Sequence, residues 1–98
     1  MIRVLLPYPL RVLACVPGEV QVDPDRPATL GSLLQSIEEK FPMLRGAIRD
    51  HDSLKRRPFV RFFACKEDLS FAPPETVLPE AVVDGTEPFL IIGAMAGG

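Results

Sequence analysis

The feature that most limits how this chain can fold is a single, well-bounded apolar stripe made of Leu30, Leu33, Leu34, Ile37 and Phe41. The steps between these residues are 3, 1, 3 and 4, which puts them on one face of a helix. Thr29 stands just ahead of the stripe as an N-cap, its hydroxyl placed to accept from an otherwise unpaired backbone N–H. Pro42 cannot continue a helix interior, so the helix is expected to end near Phe41, with Glu38 and Glu39 facing solvent. A helix with one apolar face needs a second layer to cover it.

The rest of the regular pattern is strand-like. Residues 2–6 (Ile-Arg-Val-Leu-Leu) form a brief aliphatic run that stops at Pro7, as a buried strand does. Residues 19–23 (Glu-Val-Gln-Val-Asp) alternate strictly, with Val20 and Val22 on the buried side. Between them, Pro7, Pro9 and Pro17-Gly18 read as a turn-rich connection anchored by Leu10, Val12 and Leu13, so the first two strands are expected to form a hairpin. Residues 24–28 are a loop, and Leu44, Ala47 and Ile48 suggest one further short turn. The polar stretch 49–58 reads as a surface loop. Residues 59–65 (Phe-Val-Arg-Phe-Phe-Ala-Cys) are aromatic and β-branched, hence a third strand. Prolines 73, 74 and 79 make 66–81 a surface connection. Asp84-Gly85 is a turn pair that aims the last strand, 88–92 (Pro-Phe-Leu-Ile-Ile), whose lack of alternation predicts a central strand covered on both faces or nearly so.

The fold class is therefore α+β: a mixed sheet of four to five strands packed on one main helix, with the crossover through the helix supporting a parallel pair that involves the later strands. At 98 residues the chain is expected to be one domain. A net charge of -2 argues against a nucleic-acid partner. No apolar run approaches the roughly 20 residues of a membrane span, and the opening Met-Ile-Arg-Val-Leu-Leu-Pro has no signal-peptide pattern, so the expectation is a cytoplasmic protein without a membrane partner. Cys15 and Cys65 have neither metal nor redox spacing and read as two small buried hydrophobes. His51, the one histidine, lies between Asp50 and Asp52 and reads as an exposed loop residue. Lys55-Arg56-Arg57 could dock an acidic partner or a nucleic acid, but the commoner role of such a run is a solvated loop. Phe59, Phe62, Phe63, Phe71 and Phe89 are expected to be mostly core, with Phe62 and Phe63 on opposite faces and one or two rings left as a docking patch. There is no phosphate loop, no nucleophile–base grouping and no metal spacing, which argues against an independent enzyme.

The last strand leads into Gly93, then Ala94, Met95, Ala96, Gly97 and Gly98. The five residues 94–98 carry no branched or charged side chain, and fully extended they reach roughly 17 Å. A Gly-Gly end has no Cβ to block a narrow channel in a partner enzyme.

Over essentially its whole length the chain resembles the MoaD/ThiS family of ubiquitin-like sulfur carriers. The resemblance begins with Met-Ile-Arg-Val-Leu-Leu and the segment Leu10-Arg11-Val12-Leu13-Ala14, and continues with the helix after Thr29. It is most specific in Asp84-Gly85-Thr86-Glu87, the apolar strand, the small-residue linker and Gly97-Gly98. It implies a β-grasp domain over residues 1–93 and a flexible tail over 94–98. It also implies that an E1-like, ATP- and Mg-dependent enzyme adenylates the Gly98 carboxylate, which is then converted to a thiocarboxylate and handed to a sulfur-accepting biosynthetic enzyme. In that reading Gly97, Ala96, Met95 and Ala94 thread the partner's active site, and the chain itself binds no cofactor or metal. Two other readings stay open: a ubiquitin-like modifier joined through Gly98 to target lysines, and a β-grasp interaction module whose diglycine is never activated.

Overall fold

The computed structural model describes residues 1–93. The tail 94–98, and with it the expected site Gly98 and the threading residues Ala94, Met95, Ala96 and Gly97, lies outside the described residues.

The elements run β1 (Ile2–Leu5), α1 (Tyr8–Ala14), β2 (Glu19–Val22), α2 (Leu30–Lys40), a 3₁₀ turn (Pro42–Leu44), β3 (Val60–Ala64), β4 (Glu67–Asp68), α3 (Glu80–Val83) and β5 (Phe89–Gly93). The strands form one five-stranded sheet in the order β2-β1-β5-β3-β4. β1 and β2 pair antiparallel, as the expected hairpin requires, with Val4 opposite Val20. The parallel pair joins the first strand to the last: Val4 lies beside Phe89 and Leu5 beside Leu90. β3 runs antiparallel along the other side of β5, with Phe62 opposite Ile91 and Val60 opposite Gly93.

Alternation decides which side chains meet α2. Ile2, Val4, Val20, Val22, Val60, Phe62, Phe89 and Ile91 all point to one face and are buried there. Leu30, Leu33, Leu34 and Ile37 of α2 close over them, and the rings of Phe62 and Phe89 meet at 5.8 Å in a tilted pair. α2 starts as expected: Thr29 Oγ1 accepts from Ser32 N–H, and Ser32 Oγ accepts in return from Thr29 N–H. Phe41 closes the helix and packs half-buried against the core.

Four expectations need correction. The stretch after Pro7 is a helix rather than a turn-rich connection. Pro7 is its N-cap and Pro9 lies in its first turn, where a missing N–H costs no helical bond. α1 buries Leu10 and Ala14 one turn apart, while Val12 and Leu13, expected as anchors, are exposed. Glu38 does not face solvent; it is 8% exposed and takes a two-point contact from Arg49, with Nη2 to Oε1 at 2.8 Å and Nε to Oε2 at 3.0 Å. The cysteines are not both buried. Cys15 is exposed at the left-handed C-cap of α1, and Cys65 is half-buried. With Lys66 it forms the two-residue turn between β3 and β4, at φ values of 52° and 67°. The last strand is central but covered on one face only: Phe89 and Ile91 are buried, whereas Ile92 is 45% exposed.

Candidate functional site

β5 is the middle strand of the sheet, so its end at Gly93 lies centrally at one end of the sheet. The turn before β5 sets its register. Asp84 Oδ1 accepts from Thr86 N–H at 2.8 Å, and Arg3 Nη1 donates to the Gly85 carbonyl at 3.1 Å, tying the turn to β1. Gly85 has φ of 86°, and a Cβ there would come within 3.1 Å of the Met1 carbonyl oxygen, so glycine is required twice over. The Thr86 hydrogen bonds hold the Asp84 carboxyl below the usual carboxylate range, with the charged chain start as a lesser cause. The expected role of Asp84-Gly85, a turn that aims the last strand, is what the structure shows.

At its far end β5 stops at Gly93, flanked by Val60 of β3 and by Pro7, whose ring atoms lie 3.5–3.6 Å from the position of a Gly93 Cβ. The neighbours in sequence of these flanking residues are both exposed aromatics: Tyr8 opens α1, and Phe59 precedes β3. Two exposed aromatics, Tyr8 and Phe59, thus adjoin in sequence the two residues that flank Gly93. On the open face behind this exit, Leu5, Leu90 and Phe63 stand side by side across three adjacent strands, and Ile92 stands beside Arg61 in the next row. The register delivers an apolar row with a basic neighbour, directly upstream of the tail. Phe62 and Phe63 do lie on opposite faces, Phe62 buried and Phe63 half-buried.

The other residues singled out in the sequence do not assemble into a catalytic set. His51 Nδ1 is 3.3 Å from Asp52 Oδ1, and both side chains are exposed. A polar cavity of about 410 Å³ near it is lined by Glu38, Arg45, Arg49 and Asp50, but its best-placed groups, Glu38 and Arg49, already satisfy each other. Asp50 accepts from Ser53 and Asp52 N–H groups at 2.7 and 3.0 Å, and these bonds hold its carboxyl below the usual range, with the Arg57 charge a smaller cause. Among the described residues no group of three or more His, Cys, Asp or Glu is placed to hold a metal ion. No helix among them is long and apolar enough to cross a membrane.

The basic run is more than a solvated loop. Arg57 Nε donates to the Gly46 carbonyl at 2.7 Å, and Arg56 donates to the carbonyls of Ser70, Arg57, Pro58 and Val60. Of the phenylalanines, Phe62 and Phe89 are core, while Phe59 and Phe71 are exposed. Tyr8, Leu5, Leu90 and Ile92 were missed as surface residues by sequence reasoning. For the three strand residues the signal was hidden because a strand apolar on both faces looks the same whether one face or both are covered, and for Tyr8 because α1 itself was not foreseen.

No protein-family model and no curated protein matches this chain. Solved structures do. SAMP1 of Haloferax volcanii, a small archaeal modifier protein, superposes with a TM-score of 0.76 at 20% identity, over 98% of this chain and 97% of its own. A chain of the Amycolatopsis orientalis BexX/CysO complex gives 0.75 at 19% identity over 100% of both chains. CysO of Mycobacterium tuberculosis gives 0.75 at 23% identity, over 97% of this chain and 100% of its own. The fold is the ubiquitin-like β-grasp. The five-stranded mixed sheet on one main helix matches the expected class, and the similarity spans the whole domain without insertions large enough to break coverage on either side.

Proposed function

We propose that this β-grasp chain is a sulfur carrier whose Gly98 carboxylate is its reactive group. The observation that carries the reading is the end of β5: a central strand, fixed by the Asp84-Gly85 turn, ends at Gly93, five residues before Gly98. The full-length likeness to CysO and SAMP1 supports it.

The chemistry follows from the weakness of a carboxylate as an electrophile. It is anionic and lacks a leaving group. An E1-like partner enzyme supplies ATP and Mg; the Gly98 carboxylate oxygen attacks the α-phosphorus, pyrophosphate departs and an acyl-adenylate forms. Hydrosulfide then attacks the acyl carbon, the bond to AMP breaks with AMP leaving, and after loss of the proton the C-terminus is a thiocarboxylate. That sulfur passes to a biosynthetic acceptor enzyme. The chain contributes no catalytic residue of its own; Ala94, Met95, Ala96 and Gly97 form the arm that enters the partner. An arm of five residues spans at most roughly 17 Å, so a partner that reaches Gly98 must rest against the ground around Gly93. The open face with Leu5, Leu90, Phe63, Ile92 and Arg61 is that ground.

A second reading keeps the activation and changes the acceptor: the acyl-adenylate is passed to a lysine amine, making the chain a protein modifier. The likeness to SAMP1, a modifier by name, favours keeping it. Intact and C-terminal peptide mass spectrometry on protein isolated from its native cells separates the two. Sulfur in place of one terminal oxygen of Gly98 is expected. A branched peptide carrying Gly97-Gly98 on a foreign lysine would install the modifier reading instead. A chain that keeps a free carboxylate in the presence of ATP and the cell's adenylating enzymes would sink both and leave an interaction module.

A further inference from the structure

Away from the β5 exit, a cavity of about 270 Å³ opens between the start of α2, the loop at 54–56 and the segment 70–74. Its floor is apolar and belongs to the core: Leu30, Leu34 and Phe62. Its rim is basic and aromatic: Lys55, Arg56 and Phe71. Such a volume suits one large apolar side chain, and an apolar socket inside a polar rim is the usual form of an interface anchor point.

The rim is built, not incidental. Phe71 is 76% exposed, an unusual position for a phenylalanine, yet it is held by two guanidinium groups, Arg56 at 4.8 Å and Arg61 at 5.4 Å from its centroid. Arg56 in turn is fixed by backbone carbonyls, with Nη1 to Val60 O at 2.7 Å and Nε to Ser70 O at 2.8 Å. Every hydrogen bond that Arg56 donates goes to a neutral carbonyl, and the carboxylate that feels its charge, Asp68, makes no close ion pair with it. Lys55 extends the same edge, and Arg61 has its one carboxylate, Asp68, only at 3.8 Å across exposed ground. The stretch Lys55–Arg61 therefore concentrates positive charge in a chain whose net charge is -2.

We propose that this cavity is a docking site for an acidic protein segment that inserts one apolar side chain between α2 and Phe71. Carboxylates flanking that side chain meet Lys55, Arg56 and Arg61. Charge complementarity chooses an acidic occupant, and the aliphatic floor chooses a peptide over a nucleic acid. A single strand would need open aromatic faces for its bases and a continuous basic track for its phosphates. Here the exposed ring is already stacked by arginine, and the basic rim is short. The donors of the first α2 turn are also spent, Leu30 N–H on Thr76 O and Gly31 N–H on Pro74 O, so the side chains of the rim provide the recognition. The proposal shares Arg61 with the open face but needs neither Gly97 nor Gly98.

The test is selection from a displayed library of random peptides on the full chain, followed by fluorescence anisotropy with the resynthesised peptides. Enriched peptides should carry an apolar residue flanked by Asp or Glu, and raising the salt should weaken them. Replacing their apolar residue by serine, or using the Lys55→Glu/Arg61→Gln or Phe71→Ala variant, should each cost tenfold or more in affinity. Thermal unfolding of these variants should match the parent, because the substituted side chains are exposed. A Gly97→Ser/Gly98→Ser variant should bind unchanged; loss there would move the contact to the tail and overturn the proposal. It is equally overturned by neutral or basic enriched peptides, by no enrichment, by binding indifferent to the rim variants, or by an oligothymidylate that binds more tightly than the peptides.

Discussion

The two faces of the sheet are built from the same five strands and do opposite work. On the covered face Val4, Phe89 and Ala64 form one row across β1, β5 and β3, and all are at most 1% exposed. One residue further along, Leu5, Leu90 and Phe63 form the matching row on the open face, and all three are only half-buried. The rows are nearly as apolar as each other. What separates them is α2, which closes one side and leaves the other bare. Exposed apolar patches on small domains commonly mark interaction sites, and this half-exposed row is the ground that the proposed function assigns to the partner.

Substitutions can break or sharpen this contrast, and their expected effects fall in a clear order. Phe89→Ala on the covered face removes a fully buried ring from the Phe62 contact and is expected to cost about 3–5 kcal/mol, read by urea unfolding. An equal cost from Leu90→Ala on the open face would erase the distinction between the faces. Glu38→Gln leaves the Arg49 guanidinium buried without its counter-charge. A loss of about 2–4 kcal/mol is expected, at the lower end of buried-pair breakage because a polar cavity adjoins it. The double variant Glu38→Leu/Arg49→Met should recover much of that. Thr29→Ala takes one half of the capping box from α2 and should cost about 1 kcal/mol, a fall in Tm of about 4–8 °C for a domain of this size. Ile92→Lys should move stability by no more than about 0.5 kcal/mol, as surface changes do. The same variant should slow thiocarboxylate formation roughly tenfold or more if the open face carries the docking. Unchanged kinetics would remove the open face from the mechanism.

The smallest effect concerns acid. Hydrogen bonds from Thr86 lower the Asp84 carboxyl in the folded chain. Its contribution is therefore present above the unfolded carboxylate value, near pH 4, and is lost as pH falls through the lower folded value. Asp84→Asn should flatten the pH dependence of Tm slightly in that acidic window and leave it unchanged near neutrality. A shift at neutral pH would mean that the turn is held by something other than the Thr86 bonds.

How far the chain could be read ahead of its structure varied with the range of the interaction. α2 was legible in its bounds and its apolar stripe, though not in Glu38, because its stripe, its Thr29 cap and its Pro42 stop act within a few positions of one another. β2 was legible for the same reason, from the alternation of Val20 and Val22. α1 was not, since Pro7 and Pro9 read as breakers until their place in the first helical turn is known. The candidate site divides similarly. The Asp84-Gly85 turn was legible as local chemistry; the exposed aromatics Tyr8 and Phe59, and the open row beside Ile92, came only with strand order.

By itself, then, the sequence determined α2, the sheet strands with a clear pattern and the Asp84-Gly85 turn, because helix stripes, strand alternation and turn residues are properties of near neighbours along the chain. Only the tertiary structure decided which face of the sheet α2 covers, that β5 lies beside β1, that Glu38 is buried against Arg49, and that Arg56 and Arg61 converge on Phe71. Those outcomes depend on residues distant in sequence meeting in space. Burial and charge pairing follow from where the other layer lies, which no local pattern encodes.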